Sequence, residues 1–258
     1  MRLLALLCSI GCAGAELMPG CYSTSCVTRD YTHTGGWLVK DYLVDGALMS
    51  VATKPGDYAV RWSCHGLNPI DEPAPRVYTS YIAYEVELID CDIPQTVSYM
   101  DAGLTAMPQL RNATFIEVYM MGRLFGNCTN LNHLALIDGT LSVLPDHWLV
   151  GCSALISLKI TQLRNLNKVP GDLLDDTTVL RYLDLSHNSL EALPEGLLDN
   201  TRSLEHLNVG DNNLKTLPEN LPISLKRVEA CGNDQRPLTY KTLSTLEHWA
   251  CIKIMSQL

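Results

Sequence analysis

The chain has 258 residues, of which 47% are hydrophobic and 18% are charged, and its formal net charge at pH 7 is −9. An excess of acid without clusters of lysine and arginine argues against nucleic acid as the partner, because phosphate neutralisation requires clustered positive charge. No uninterrupted apolar run reaches the roughly 18 residues that a membrane-spanning helix requires, so we expect no membrane span.

The first fifteen residues have the composition of a secretory signal peptide. MRLLALLCSIGCAGA contains one arginine, an apolar run and then small residues at Ala13 and Ala15, which predicts cleavage after Ala15. A membrane anchor is the alternative, although the apolar run is too short to span. The sequence therefore predicts a secreted, extracellular protein whose mature chain starts at Glu16.

Residues 16–82 show no repeat. Aromatic and β-branched residues are frequent in this segment, and Gly35-Gly36 and Pro55-Gly56 are typical turn pairs. We predict a small β-rich unit here, in which DYAVRWSC is one strand.

A leucine pattern recurs in the second half of the chain, where LRYLDLSHNSL (180–190) is followed by LEHLNVGDNNL (204–214). On an extended strand, residues two apart point to the same face, so Leu183 and Leu185 point inward and Asp184 points outward. After the strand, a buried asparagine satisfies backbone groups that have no ladder partner. One such unit cannot bury its own leucines. The units must therefore stack into a solenoid with a shared core and a parallel sheet along one face.

The two segments resemble the leucine-rich repeat family, whose pattern L-x-x-L-x-L-x-x-N/C-x-L they match at every defining position. This resemblance implies an α/β solenoid, a horseshoe with a parallel β-sheet on its concave face and disulfide-tied caps at both ends. The returning segments KVPGDLLDDT and EALPEGLLDN resemble those of Toll-like receptor ectodomains and secreted leucine-rich immune proteins. A plainer interpretation is that their prolines fix a turn where no amide donor is needed. The asparagine position of the pattern falls on Asn188, Asn212 and Asn233.

Weaker versions of the pattern extend the repeats over residues 83–235, as about six or seven coils. Gly139 and Leu163 stand at the asparagine position of two coils, and Asn165 is a candidate substitute for the second. The stretch from 96 to 123 holds one irregular repeat or two.

The resulting organisation is a signal peptide (1–15), a β-rich N-terminal cap (16–82), the repeats (83–235) and a C-terminal cap (236–258). In the C-terminal cap we predict a short amphipathic helix, with Trp249 facing inward to cover the core of the last coil.

Ten cysteines include Cys8 and Cys12 of the signal peptide, and the remaining eight fit disulfides in an oxidising compartment. Cys128 and Cys152 each lie three residues before the first leucine of a coil, so they stack at about the 4.8 Å spacing of adjacent strands and can be bridged. Two buried free cysteines are the alternative. By analogy the remaining cysteines form disulfides in the caps, with Cys231 bonded to Cys251 at the C-terminal end. The pairing in the N-terminal cap is open, and the spacing favours Cys21 with Cys26 and Cys64 with Cys91.

Two sequons, at Asn112 and Asn127, predict glycosylation in a secreted protein. Asn112 is the better candidate, because the Asn127 sequon contains the cysteine that we expect to be bridged.

No motif for chemistry stands out. The sequence has no G-x-S-x-G elbow, phosphate loop or H-E-x-x-H motif, and the spacing of Cys21 and Cys26 has no matching second pair for zinc. His187 and His206 lie on adjacent coils, which allows either a metal or pH-sensitive patch or two solvated histidines. We expect a non-enzymatic protein with no catalytic residue, no metal and no cofactor.

Outward residues of successive strands form rows on the concave face, where they do not pack in the core and are free to vary for recognition. One of them, Tyr119, comes from a strand predicted by Phe115, Val118 and Met120. Tyrosine and arginine are frequent at interface hot spots, and the convex loops or the N-terminal cap are the alternative binding surfaces. The predicted ligand-binding residues are Tyr119, Lys159, Tyr182, Asp184, His206, Asn208, Arg227 and Glu229.

The sequence therefore predicts a secreted recognition protein that binds a protein or a microbial ligand in extracellular fluid, in innate immunity. An extracellular matrix or adhesion protein and a fragment of a Toll-like receptor ectodomain are the alternatives. The partner, the organism and the oligomeric state stay open.

Overall fold

The structure of the protein is a computed structural model. It describes residues 84–90, 92–93, 109–120, 128–139, 141–218, 220–233 and 248–250, together with seven short strands between residues 18 and 78. These seven strands are β1 (Met18–Pro19), β2 (Val27–Thr28), β3 (Thr32–Thr34), β4 (Trp37–Val44), β5 (Ala47–Lys54), β6 (Ala59–Ser63) and β7 (Val77–Tyr78).

The rest of the described chain contributes ten further strands. They are β8 (Glu85–Ile89), β9 (Asp92–Ile93), β10 (Asn112–Ile116), β11 (Tyr119–Met120), β12 (His133–Ile137), β13 (Ser157–Thr161), β14 (Tyr182–Asp184), β15 (His206–Asn208), β16 (Arg227–Glu229) and β17 (His248–Ala250).

One parallel sheet runs through the repeats in the order β8-β10-β12-β13-β14-β15-β16-β17, with one strand from each coil. The register carries the same coil position from strand to strand. The second residues of five successive strands are aligned in this way, and all of them are buried: Leu134, Leu158, Leu183, Leu207 and Val228. The predicted leucine-rich repeat solenoid with a parallel sheet is confirmed.

The N-terminal strands continue the same sheet in a different way. β6 pairs with β8 in parallel, β5 then pairs with β6, and β4 pairs with β5, both antiparallel. A separate antiparallel pair joins β1 to β7. The segment predicted to be β-rich therefore contributes strands to the sheet of the repeats.

A row of asparagines connects the last coils through side-chain hydrogen bonds. Asn188 Oδ1 accepts the N–H of Leu163 (2.8 Å), and its Nδ2 donates to the carbonyls of Ile160 and Leu185 (both 2.8 Å). Asn212 makes similar bonds one coil later. Its Nδ2 donates to Leu185 O (2.8 Å), and its Oδ1 accepts the N–H of Leu190 (3.0 Å), which lies two residues after the asparagine position.

Asn233 continues this row. Its Oδ1 accepts the N–H of Leu214 (2.9 Å), and its Nδ2 donates to the carbonyl of Val209 (2.8 Å). Each asparagine thus satisfies buried backbone groups of its own coil and of the preceding one, as a carboxamide with two donors and an acceptor allows.

The earlier coils have apolar residues at the same position. Val118 and Leu163 are fully buried there. Between them, a Cβ added to Gly139 would lie 2.9 Å from Leu163 Cδ2 and 3.2 Å from the Val118 carbonyl, so only glycine fits without a shift. The prediction that Asn165 takes the asparagine position of its coil is wrong, because Leu163 itself occupies the position and Asn165 is exposed.

The predicted strand containing Tyr119 in the concave row is also wrong. The strand of that coil is β10, and its inward residues are Ala113 and Phe115, with Val118 at the asparagine position. Tyr119 lies five residues after Thr114, on β11, which pairs with β9 in a separate two-stranded sheet. Thr114 holds the place in the row that we assigned to Tyr119.

Trp249 lies on strand β17 and not on the predicted amphipathic helix. β17 extends the sheet in parallel, with Trp249 in register with Val228 of the core row. A further strand therefore follows the last repeat in the sheet.

Each coil turns sharply after its strand through a residue with positive φ. In each coil the N–H of this residue donates to a carbonyl of the following coil, at 2.7–3.4 Å. The left-handed conformation is costly for residues other than glycine, and the interlocked ladder holds it in place. These residues are Asp90, Glu117, Asp138, Gln162, His187 and Asp211, with φ between 50° and 63°.

The returning segments are linked at a second recurring position, three residues before the first leucine of the coil. Cys128 and Cys152 occupy it in two coils and are joined by a disulfide, with Cα atoms 4.5 Å apart. In the next two coils Thr177 and Thr201 are fully buried there, and each hydroxyl donates to the carbonyl three residues earlier, at 3.0 and 2.8 Å.

Candidate functional site

The candidate site is the concave face of the sheet, where the structure aligns two outward rows. The first row, at the start of each strand, consists of Asn112, His133, Ser157, Tyr182, His206 and Arg227. The second row, two residues later, consists of Thr114, Ala135, Lys159, Asp184, Asn208 and Glu229. Seven of the eight predicted ligand-binding residues are thus brought together, and Tyr119 is the exception.

The layer beneath these rows is apolar. The strand residues that alternate with them are buried apolar side chains, so the outward residues are held on a packed surface. The rows can therefore change without loss of the core, and this makes them suited to recognition.

Tyr182 and His206 form a stacked aromatic pair on neighbouring strands. Their ring centroids are 4.8 Å apart and their planes are inclined by 11°. Tyr182 is 46% exposed. Aromatic side chains in such rigid, amphipathic settings are typical anchors for partners.

Charged side chains surround this pair. Arg227 Nε and Glu229 Oε1 form an ion pair at 2.6 Å on the same strand. Glu205 accepts ion pairs from Lys226 (3.3 Å) and Arg181 (3.8 Å) on the two neighbouring coils. These pairs are largely exposed, so solvent and salt weaken them and a ligand can replace them at small cost.

Two side chains of the second row have a structural role. Asp184 Oδ1 accepts the N–H of Ser186 (3.0 Å) and its hydroxyl (2.6 Å), and Asn208 Oδ1 accepts the N–H of Gly210 (3.0 Å). These bonds hold the turn after the strand. Lys159, in contrast, is exposed and makes no side-chain hydrogen bond or ion pair with the part of the chain that the structure describes.

The two histidines considered as a pair in the sequence have different partners. His187 Nδ1 lies 3.3 Å from Asp211 Oδ2 at the turn, whereas His206 stacks on Tyr182. Among the residues whose placement is described, no group of three or more histidine, cysteine or acidic side chains is arranged to hold a metal ion.

The sequence places His133 and Ser157 in the same row as Tyr182, and the structure aligns them so. Neither is among the predicted ligand-binding residues, because a short serine gives no signal of a gap beside an aromatic ring. Sequence reasoning missed one residue of the row. Asn112 also lies in this row, in register with His133. The inward residues Ala113 and Phe115 were the signal in the sequence that could have aligned β10 and so placed Asn112 in this row.

Other predicted residues fall outside the described part of the chain. These are the sequon at Asn127 and the cysteines Cys21, Cys26, Cys64, Cys91 and Cys251. Cys231 is disulfide-bonded. Across the described residues, no helix has both the length and the apolar character to cross a membrane.

The family model described as "Leucine rich repeat" matches residues 157–214 and 178–229. These matches cover the coils with the clearest pattern, and they confirm the resemblance that the sequence pattern carries. No curated protein matches the sequence of the chain.

Solved structures resemble the fold at low sequence identity. The glycosylated Drosophila Toll–Spatzle complex matches with a TM-score of 0.53 and 14% identity, over 92% of this chain and 36% of that chain. A Leptospira interrogans leucine-rich repeat protein matches with a TM-score of 0.49 and 20% identity, over 63% and 46%. The APL1 leucine-rich repeat domain matches with a TM-score of 0.43 and 20% identity, over 64% and 52%. The chain thus spans about half or less of the length of these structures.

Proposed function

We propose that the protein is a secreted, non-enzymatic recognition protein that binds a protein or a microbial ligand with the concave face of its solenoid. The observation that carries this proposal is the exposed row around the Tyr182–His206 stack, mounted on a fully buried leucine floor. A role in innate immunity is part of the proposal, and it is supported by the fold shared with Toll in a complex described as a hub in development and innate immunity.

Secretion rests on the signal peptide pattern of residues 1–15 and is supported by the Cys128–Cys152 disulfide, because such bonds persist in oxidising compartments. The proposed division is a signal peptide (1–15), an N-terminal cap (16–82), repeats (83–235) and a C-terminal cap (236–258). Glycosylation of Asn112 would add a glycan to the first row of the concave face. This glycan would leave the part of the face from Ser157 to Glu229 as the ligand footprint.

The test is affinity capture from native extracellular fluid with the mature chain as bait, followed by mass spectrometry. The variant Tyr182→Ala/Arg227→Ala removes the aromatic anchor and the neighbouring cation. The matched control Glu195→Ala/Arg202→Ala removes two exposed charged side chains of the returning segments. We expect the first variant to lose the captured ligand and the control to retain it. Equal capture by both variants would contradict a concave site.

A further inference from the structure

The first row of the concave face contains a gap beside Tyr182. His206 stacks against one face of the Tyr182 ring with nearly parallel planes. The opposite face must therefore be directed along the row toward the preceding strand, where the aligned residue is Ser157. A serine side chain is too short to cover an aromatic face, and this accounts for the 46% exposure of Tyr182.

The gap has the size of one ring. On the covered side, a ring one strand away lies at a centroid distance of 4.8 Å. Strand spacing in a sheet is uniform at about 4.8 Å, so the Ser157 position leaves the same room on the open side. His133 is aligned with Ser157 on the strand before, and is thus the next side chain of the row on the far side. We name this space, between His133 and Tyr182 and above Ser157, the Ser157 gap.

Groups of both hydrogen-bonding types surround the Ser157 gap. Lys159 and Asp184 are aligned on adjacent strands in the second row. Asp184 uses its Oδ1 for the Ser186 turn, and its Oδ2 accepts no hydrogen bond from the described residues. The Lys159 ammonium and the Ser157 hydroxyl likewise have no partner in the ranges that the structure covers. The open face of Tyr182 thus shares two neighbouring strands with a cation, an anion and a hydroxyl.

This combination distinguishes between two kinds of inserted group. An aromatic side chain from a protein partner gains most in an apolar, fully desolvated pocket, and here it would strip water from polar groups without replacing their hydrogen bonds. A pyranose ring has an apolar C–H face that stacks on tyrosine, and its hydroxyls both donate and accept. We infer that the Ser157 gap is a subsite for one pyranose ring of a glycan, stacked on Tyr182 and hydrogen-bonded to Lys159 and Asp184.

This inference rests on the proposed use of the concave face for recognition, and it names the chemical class of the ligand. The probes are methyl pyranosides of glucose, galactose, mannose, N-acetylglucosamine and glucuronic acid, titrated into the mature chain and followed by saturation-transfer NMR and calorimetry. Ser157→Tyr fills the gap and leaves Tyr182, Lys159 and Asp184 in place, Tyr182→Leu removes the stacking face, and Tyr182→Phe retains it. Ser153→Tyr adds the same bulk at an exposed position outside the strands.

We expect at least one pyranoside to bind. Ser157→Tyr and Tyr182→Leu should each weaken it at least tenfold, whereas Tyr182→Phe and Ser153→Tyr should stay within twofold. Failure of all five probes to bind both the wild-type chain and Asn112→Gln, or an affinity that Ser157→Tyr leaves unchanged, would overturn the subsite.

Two sources of the pyranose can be separated. Asn112 lies two strands before Ser157 in the same row, so a glycan on Asn112 is a source within the chain itself. Binding of a free pyranoside to the wild-type chain and to Asn112→Gln alike indicates an external glycan. Binding that emerges only in Asn112→Gln indicates that the chain's own glycan fills the subsite. Either result supports a pyranose subsite.

The failure of this inference also differs from the failure of the proposed function. If Ser157→Tyr abolishes capture of a protein ligand while no pyranoside binds or competes, the gap takes a peptide group and the pyranose subsite is overturned. If capture survives Tyr182→Ala/Arg227→Ala, the concave face is not the binding surface and the proposed function fails first.

Discussion

The coils up to Leu163 and the coils after it share one backbone ladder but stabilise it with different chemistry. At the asparagine position the earlier coils have Val118, Gly139 and Leu163, and the later coils have a hydrogen-bonded asparagine. At the linking position of the returning segments, the earlier coils have a disulfide and the later coils have buried threonine hydroxyls. A repeat architecture therefore specifies the positions at which each coil must be stabilised, without specifying which residue does so.

Strand length differs between the same two regions. β8, β10, β12 and β13 have five residues each, whereas β14, β15 and β16 have three. In β14 and β15 the last residue is Asp184 or Asn208, whose side chain takes the N–H two residues later. The residues aligned with them earlier, such as Ala135 and Lys159, have no short acceptor and the ladder continues. In β14 and β15 a side-chain cap in the second row thus stands at the end of the strand, whereas β16, which is equally short, ends at Glu229, whose side chain pairs with Arg227.

The largest expected effect comes from giving a later coil the chemistry of an earlier one. Asn212→Val leaves the buried N–H of Leu190 without its acceptor. It also removes one of two donors from the carbonyls of Leu185 and Val209, which keep bonds from Asn188 and Asn233. An unsatisfied buried donor costs roughly 1–3 kcal/mol and each lost hydrogen bond about 1 kcal/mol, so we expect a loss of about 4 kcal/mol in the free energy of unfolding. Urea denaturation followed by circular dichroism measures it.

The control for that substitution is Asn165→Val, at an exposed asparagine two coils earlier. It should change stability by no more than about 0.5 kcal/mol. If both substitutions had equal effects, the hydrogen-bonded row would not be the source of the difference between the regions.

The second test replaces the disulfide of the earlier coils. Cys128→Ala/Cys152→Ala opens a link with a sequence separation of 24 residues. Loop-closure entropy predicts a loss of about 3 kcal/mol. Cys128→Ala/Cys152→Thr should regain about 1 kcal/mol, because a hydroxyl at this position can donate to Leu149 O as Thr177 donates to Leu174 O. Thermal unfolding of the two double variants under the same redox conditions compares their stabilities. No gain from threonine would indicate that the turns at Cys152 and Thr177 are not equivalent.

The third test concerns the tight approach at Gly139. A Cβ at this position meets Leu163 Cδ2 and the Val118 carbonyl, so Gly139→Ala should destabilise the protein by about 1–2 kcal/mol through overpacking. At Gly171 the nearest atom to an added Cβ is Pro194 Cβ at 3.8 Å, and Gly171→Ala is the matched control. A denaturation midpoint that shifts equally for both would show that the row of apolar residues tolerates bulk.

The smallest expected effect is the loss of one strand cap. Asp184→Ala removes the acceptor for Ser186 and should cost about 1 kcal/mol, whereas Lys159→Ala, on the adjacent strand in the same row, should be neutral within about 0.5 kcal/mol. Faster amide exchange at Ser186 in Asp184→Ala is the direct measurement. Unchanged exchange would assign the strand end to the backbone alone.

How far the sequence predicted the structure depended on side-chain size. Coils with leucine or valine at each inward position, such as those of Leu183 and Leu207, were aligned to the residue. The coil of β10 was shifted, because its small Ala113 hides the pattern while Met120 imitates it. Stability comes from the buried row as a whole, so the fold tolerates one weak position that a single-sequence pattern does not.

The candidate site was predicted as a set of rows but not as a shape. The period of two along a strand and the coil-to-coil register fix which residues are neighbours. The orientation of the Tyr182 ring, and the gap that Ser157 leaves beside it, depend on rotamers chosen by neighbouring side chains. Those choices belong to tertiary packing, and spacing in the sequence carries no record of them.

The asparagine row also gives the solenoid a built-in reporter of its own opening. The amide protons of Leu163, Leu190 and Leu214 each bond to a carboxamide that lies in the following coil. Such a proton can be replaced by deuterium only when two coils separate, and fraying within a single turn does not release it. Exchange rates at these three leucines would therefore rank the interfaces between coils from weakest to strongest, and so locate the end from which the molecule comes apart.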